Sequence, residues 1–201
     1  FNSDTAVDLV TGDGFSDSVT ILVNNNDGTG NFTALPRISI PGLTPNDIEA
    51  ADLNGDGFDD IAVADRASVV DLGFILTNGS GPGVFQTPTT QQSGVAGTQL
   101  VVGDFDGLPG LDIVTSSSFT FGGPWTLLTN NGTGQFTART PGFTSSGAAS
   151  RVASGDLDGN GTLDVVFLET FGGVDLAQVY SNDGSGNFTL TTTVTLSANT
   201  G

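Results

Sequence analysis

The stretch at residues 51–65, ADLNGDGFDDIAVAD, is the part of the chain whose reading decides the fold. Asp52, Asn54, Asp56 and Asp60 crowd oxygen-bearing side chains into nine residues, and Gly55 and Gly57 separate them. The apolar run Ile61-Ala62-Val63-Ala64 follows at once. Like charges packed this closely repel unless something positive sits between them, so the stretch has the form of a ligand loop leading into a strand. Oxygens at alternate positions 1, 3 and 5, a backbone carbonyl at 7 and a carboxylate at 9 can wrap one hard cation. Ca²⁺ takes six to eight oxygens in irregular geometry, whereas Mg²⁺ prefers fewer protein ligands and a strict octahedron. Here the set is Asp52, Asn54, Asp56, the carbonyl of Phe58, and Asp60. The intervening glycines let the backbone turn tightly.

The stretch recurs. VVGDFDGLPGLDIVTS places Asp104, Asp106, the carbonyl of Gly110 and Asp112. ASGDLDGNGTLDVVFL places Asp156, Asp158, Asn160, the carbonyl of Thr162 and Asp164. Asp52, Asp104 and Asp156 fall 52 residues apart, twice over. One period earlier, FNSDTAVDL supplies Asn2, Asp4, the carbonyl of Ala6 and Asp8, without the leading Asp. The second and fourth copies carry the fullest ligand sets. In the third, Leu108 and Pro109 stand at the fifth and sixth positions, which predicts weaker binding there or binding through water. The expectation is therefore two well-formed Ca²⁺ sites and up to four in all.

A second marker keeps the same period. NNNDGTGNF, TNGSGPGVF, NNGTGQF and SNDGSGNF end at Phe32, Phe85, Phe136 and Phe188. A fixed period of this length means an array of one supersecondary unit. Each unit reads as four short strands. One precedes the acidic cluster, one follows it, one precedes the Asn/Gly turn, and one begins at the Phe. β-branched residues and Phe fill these segments, and Asn-Gly or Asp-Gly turns join them. No sustained helical periodicity appears, so almost no helix is expected. Four antiparallel strands per repeat is the pattern of a β-propeller blade. The fold class is thus all-β, a β-propeller of about four four-stranded blades, at residues 1–46, 47–98, 99–150 and 151–201 of a single repeat array. The first strand of each blade would lie innermost, and the small residues Ala51, Gly103 and Gly155 before each leading Asp suit a crowded axis.

The residues quoted carry a family resemblance. DLNGDGFDDIAVAD and DLDGNGTLDVVFL, with NDGSGNF, resemble the FG-GAP/VCBS repeats of integrin α-subunit propellers and of many bacterial secreted proteins. The resemblance covers essentially the whole chain. It implies a Ca²⁺ in the loop between the first two strands of each blade, at the positions just named. The NNGxGxF form is closer to the bacterial VCBS type, because the Phe-Gly and Gly-Ala-Pro elements of the integrin type are missing. The loop also resembles the start of an EF-hand, but Ala64 and Leu168 stand where the bidentate Glu should be and the flanks are strands.

Composition narrows the function classes. The chain has 201 residues, four arginines, no lysine, and a formal net charge of −18. This speaks against nucleic acid and anionic membranes as partners, since both require basic surface. There is no Cys, His or Met, which removes disulfides, thiolate chemistry and the usual zinc and haem ligands. No apolar run approaches the roughly 18 residues of a membrane-spanning helix, so no membrane insertion is expected. Eleven of the 22 acidic residues are the carboxylates named as ligands in the four loops. Catalysis lacks candidates: Glu49, Glu169 and Tyr180 stand isolated, and Asp65, Asp71 and Asp175 show no pairing. Trp125, the sole tryptophan, aligns with a third strand and reads as blade packing, with sugar stacking as the alternative. The arginines Arg37, Arg66, Arg139 and Arg151 read as surface ion-pair partners. Asn31, Asn78, Asn131 and Asn187 begin glycosylation sequons on turns. Asn160 also begins one, in conflict with its reading as a ligand.

The first blade lacks its innermost strand in this sequence. A larger propeller, a strand donated by another chain, or closure of four blades with a defective first one would each account for it, and the first two are favoured. The expected function is a non-catalytic, extracellular, calcium-stabilised module for adhesion, recognition or assembly, a surface-filament or surface-layer subunit included. Its partners would be a protein or glycan at the cell surface, a further copy, or the rest of a parent chain. A lectin-like propeller and an accessory part of a polysaccharide-degrading enzyme are the alternatives.

Overall fold

The computed structural model describes residues 1–65, 72–77, 83–91, 99–116, 125–139 and 148–198. Sixteen strands form four separate antiparallel sheets, and no helix occurs among the described residues. The sheets follow one another along the chain. The first holds β1 (Leu9–Asp13), β2 (Ser18–Asn24), β3 (Phe32–Ala34) and β4 (Ile38–Ser39). The second runs β5 (Pro45–Ala51), β6 (Asp60–Asp65), β7 (Leu72–Ile75) and β8 (Thr89–Gln91), in that spatial order. The third runs β9 (Gln99–Gly103), β10 (Asp112–Ser116), β11 (Thr126–Asn130) and β12 (Phe136–Arg139). The fourth runs β13 (Ala148–Gly155), β14 (Asp164–Phe171), β15 (Val174–Asn182) and β16 (Phe188–Ala198). Three sheets are complete four-stranded meanders, each with the acidic loop between its first two strands.

The first sheet differs. β3 and β4 both pair with β2, so they are two pieces of one outer strand. β1 follows the acidic loop and is the equivalent of β6, β10 and β14, so it is the edge strand of this sheet among the described residues. The expectation of one fourth strand starting at each Phe is corrected in two blades. Pro36 separates β3 from β4, and in the second sheet Phe85 makes only an isolated bridge to Thr77 before Pro88 and β8. Proline has no N–H to give to a ladder and interrupts it. β16 contains no proline and runs unbroken for 11 residues.

Core packing lies between successive sheets. Val19, Ile21, Ile40 and Leu43 of the first sheet meet Ile61, Val63 and Ile75 of the second. Leu53, Ala62, Ala64, Leu72 and Phe74 of the second meet Leu100, Ile113 and Leu128 of the third, with Phe74 stacked on Phe136 at 4.5 Å between ring centroids. Phe105, Val114, Trp125 and Leu127 of the third meet Val165, Phe167, Tyr180 and Phe188 of the fourth. Trp125 is fully buried against Phe167, Tyr180 and Phe188. It is a packing residue, and the sugar-stacking alternative is set aside. Polar ties cross the same seams. Leu100 N–H donates to Asp47 at 3.0 Å, Gln91 Nε2 to the Phe136 carbonyl at 3.0 Å, and Arg139 Nη1 to the Ser185 carbonyl at 3.2 Å. Arg139 is thus an interblade donor, and of the expected ion pairs Arg37 forms one, with Asp13 at 3.7 Å on the surface. Arg66, Asp71 and Asn78 lie outside the described residues.

The row of sheets does not close on itself, and its ends show it. Leu53 and Phe105, which follow the leading Asp in the second and third blades, are buried by the next blade, whereas their counterpart Leu157 is 54% exposed. At the other end Leu9 is 45% exposed, although its counterparts Ile61, Ile113 and Val165 are fully buried.

The small residues of the inner strands report the same seams. A Cβ placed on Gly103 would lie 2.4 Å from Leu163 Cδ1 of the next blade, but one on Gly155 meets nothing closer than 3.9 Å. Gly103→Ala is therefore expected to lose about 1–3 kcal/mol through overpacking. Gly155→Ala should change stability by less than about 0.5 kcal/mol. Urea unfolding of the two variants checks this, and equal effects would contradict the seam geometry.

Candidate metal centre

The last Asp of each loop is the local anchor. Asp60, Asp112 and Asp164 are fully buried, and the Asp8 side chain is 2% exposed. Each sits at the start of a second strand or just before it, and so points back beneath its own loop. One oxygen accepts the N–H at the end of the third strand: Asn24 for Asp8, Thr77 for Asp60, Asn130 for Asp112 and Asn182 for Asp164. The other oxygen accepts the loop N–H two residues or so after the leading position: Asn2, Leu53 and Asn54, Phe105 and Asp106, and Leu157. A carboxylate buried in this way is tolerated because charge-assisted bonds replace its water.

The remaining carboxylates shape the loops. Asp156 accepts Gly159 N–H at 2.8 Å and Gly161 N–H at 3.0 Å, and Asp158 accepts Asn160 N–H at 3.0 Å and the Ser181 hydroxyl. Asp104 accepts Gly107 N–H at 2.8 Å and Asp106 accepts Leu108 N–H at 2.9 Å. Two groups result in which three carboxylates bring oxygens within 4.8 Å of one another: Asp104, Asp106 and Asp112, and Asp156, Asp158 and Asp164. Either group could hold a metal ion.

The third loop gathers its carboxylates despite Leu108 and Pro109. Its glycine has moved to the seventh position. Gly110 has φ of 111°, and a Cβ there would lie 2.6 Å from Gly132 N, so the loop closes directly on the Asn/Gly turn. Phe105 N–H and Asp106 N–H then hold Asp112 under the loop.

The second loop, with one of the fullest ligand sets, is arranged otherwise. Asp52 accepts the N–H groups of Gly55, Asp56 and Gly57. Thr77 donates its hydroxyl to Asp56 and Asp60, and Asn54 donates its amide to Asp60 at 3.3 Å. Asp52, Asp56 and Asp60 are not gathered in this way, and Thr77 stands where the other blades have Asn; the Ser181 hydroxyl makes a like pair of contacts in the fourth loop, whose carboxylates do gather. In the first loop Asn2 and Asp4 bond each other, Asp4 also accepts Ala6 N–H, and the Phe1 ammonium lies 2.9 Å from Asp8. The carbonyl-bearing positions Phe58, Gly110 and Thr162 all lie in these turns, and Thr162 N–H and hydroxyl both donate to Asn160.

Other expected residues fall into place around this. Asn31, Asn131 and Asn187 are exposed on turns, each engaged with a neighbouring Thr or Asp. Asp65 is buried and accepts Thr44 N–H at 2.8 Å, and Asp175 accepts the Thr170 hydroxyl at 2.9 Å. Glu169 and Tyr180 are not isolated. Both are buried, and burial together with the Glu169 charge pushes the Tyr180 phenol up to about 12. Sequence reasoning missed the residue that ends the third strand. Its signal was present: Asn130 and Asn182 repeat at the same 52-residue spacing and open the Asn/Gly turn.

Burial raises the carboxyls of Asp60 and Asp112 above the usual value, and the neighbouring Asp56 and Asp106 push the same way, against the lowering by N–H donors. A raised folded-state value adds stability that is complete below the unfolded value and lost as pH rises through the folded one. The lowered groups Asp8, Asp13, Asp27 and Asp183, held by the Phe1 ammonium, Ser16, Thr29 and Asn187 in turn, act only below the ordinary 3.8. Metal-stripped protein is therefore expected to melt higher at pH 5 than at pH 7.5. Thermal melts at the two values check it, and a lower Tm at pH 5 would contradict it.

A family model described as an FG-GAP-like repeat matches residues 1–63 and 110–167. No curated protein matches the chain. The matched segments cover more than half of the sequence and include the first, second and fourth acidic loops and the end of the third. The chain belongs to the FG-GAP-like repeat family.

Proposed function

We propose that this chain is a non-catalytic, calcium-stabilised β-propeller-type module that works outside the cell in recognition or assembly. The observation that carries the reading is the pair of carboxylate triads at Asp104/Asp106/Asp112 and Asp156/Asp158/Asp164. Hard oxygen donors on short glycine-containing loops suit Ca²⁺ better than Mg²⁺, and FG-GAP repeats often bind calcium. The four arginines cannot offset 22 acidic side chains, so bound cations would relieve self-repulsion that opposes the compact state. Repeats of this family are typically extracellular, where calcium is abundant. Among the described residues no helix is long and apolar enough to cross a membrane.

The two end faces support an assembly role. Leu157, Val194 and Leu196 are exposed at one end, Leu9 and Phe32 at the other. Leu157 at one end and Leu9 and Phe32 at the other match positions that are covered inside the row, so the partner they suit is a further blade of the same repeat, from a longer parent chain or from another copy.

Thermal unfolding with excess Ca²⁺ and with EGTA tests the metal reading, and the mass in solution, read in the same buffers, tests assembly. A Ca²⁺-dependent rise in Tm is expected, because a ligand at 100 times its Kd adds about 2.7 kcal/mol per independent site. An unchanged Tm would remove the calcium reading. A monomer at every concentration would leave the parent chain as the source of further blades.

A further inference from the structure

We infer that Asn130 and Asn182 couple neighbouring acidic loops, so that calcium binding to the third and fourth loops is cooperative through Asn182. This rests on the calcium reading above and adds to it a residue and a route. The Asn182 amide is buried at the seam between two blades. Its Nδ2 donates to the Phe105 carbonyl at 2.8 Å and to the Leu163 carbonyl at 3.0 Å. Phe105 lies between the carboxylates Asp104 and Asp106 of the preceding loop. Leu163 directly precedes Asp164 of its own loop. Oδ1 accepts Gly184 N–H at 3.1 Å, and the backbone N–H donates to Asp164 at 2.9 Å. Two carbonyls on one side and an N–H on the other fix the amide's orientation. Asn130 repeats the arrangement one blade earlier, with Nδ2 on the Leu53 carbonyl at 2.7 Å and the Leu111 carbonyl at 3.0 Å.

The same device is absent at Thr77, whose hydroxyl is engaged by Asp56 and Asp60 of its own loop. Asn24 uses its amide on the Val7 carbonyl at 3.3 Å, with no described blade before it. The clamp therefore joins the second, third and fourth loops and leaves the first outside.

The route is short. Phe105 N–H is held by Asp112 and its carbonyl by Asn182. A cation that gathers Asp104, Asp106 and Asp112 fixes this backbone segment, and with it one of the two carbonyls that hold Asn182. The fourth loop then has less freedom to lose when it binds its own cation, which gives positive coupling. Electrostatics alone would give the opposite sign, since the first cation repels the second.

Calorimetric Ca²⁺ titration of the 201-residue chain tests this against Asn182→Ala, which keeps the backbone N–H on Asp164 and removes the amide that reaches Phe105 and Leu163. The expected wild-type isotherm is cooperative, with the second of the two sites tightened about fivefold or more by the first. In Asn182→Ala the site number should be unchanged and the tightening lost. Asp104→Asn with Asp106→Asn provides a second route that leaves Asn182 intact: amide exchange in residues 156–164 should then need several-fold more Ca²⁺ for protection. No Ca²⁺ uptake at all would overturn the calcium reading and this inference with it. Independent sites in the wild type, cooperativity that survives Asn182→Ala, or fourth-loop protection indifferent to loss of the third loop would each overturn the inference and leave the calcium reading standing.

Discussion

The constraint on which the rest depends is a carboxylate buried under its own loop. Asp8, Asp60, Asp112 and Asp164 each begin or directly precede a second strand, and each accepts N–H groups from two directions. One comes from the loop between the first and second strands and the other from the end of the third. Three strands are thereby held in register by one side chain. A charge removed from water is stable only while those donors stay in place, so the loop cannot open without exposing it. In the third and fourth loops this carboxylate also lies within 4.8 Å of the other two loop carboxylates, oxygen to oxygen, and this joins the structural anchor to the candidate metal centre.

Packing between the sheets is built on that anchor. The residue after the leading Asp turns sideways into the next blade, as Leu53 and Phe105 do. Asn130 and Asn182 then reach back to the carbonyl of that same residue. Apolar side chain and polar tie thus arrive at one seam from opposite blades. The energy of the array resides mostly in these seams, since each sheet alone has two apolar faces. Nearest-neighbour stabilisation of this kind is general in repeat architectures.

The particular departures from the sequence reading have physical causes. Pro36 and Pro88 were visible in the sequence, but the period in Phe32 and Phe85 drew one strand across each. The second loop offered more oxygen ligands than the third, yet the third gathers three carboxylates. In the third loop Gly110 closes directly onto the Asn/Gly turn, a contact that the period of the carboxylates does not show. Glu169 and Tyr180 lie eleven positions apart with no motif between them, and only the pairing of β14 with β15 brings them to one buried region. Arg139 finds a carbonyl in the next blade, not an acid, because the Ser185 turn lies against β12.

By itself the sequence determined the repeat, its period, the four strands of a blade and the place of the acidic loops. All of these are local or periodic, written in residues a few positions apart and repeated in register. The tertiary structure decided which loops gather their carboxylates, which residues tie one blade to the next, and which faces are left open. Those outcomes depend on contacts such as Asn182 with Phe105, 77 residues apart. The Asn repeats with the period, but its partner cannot be read from the period, because the two ends belong to different copies and meet only once the sheets have stacked.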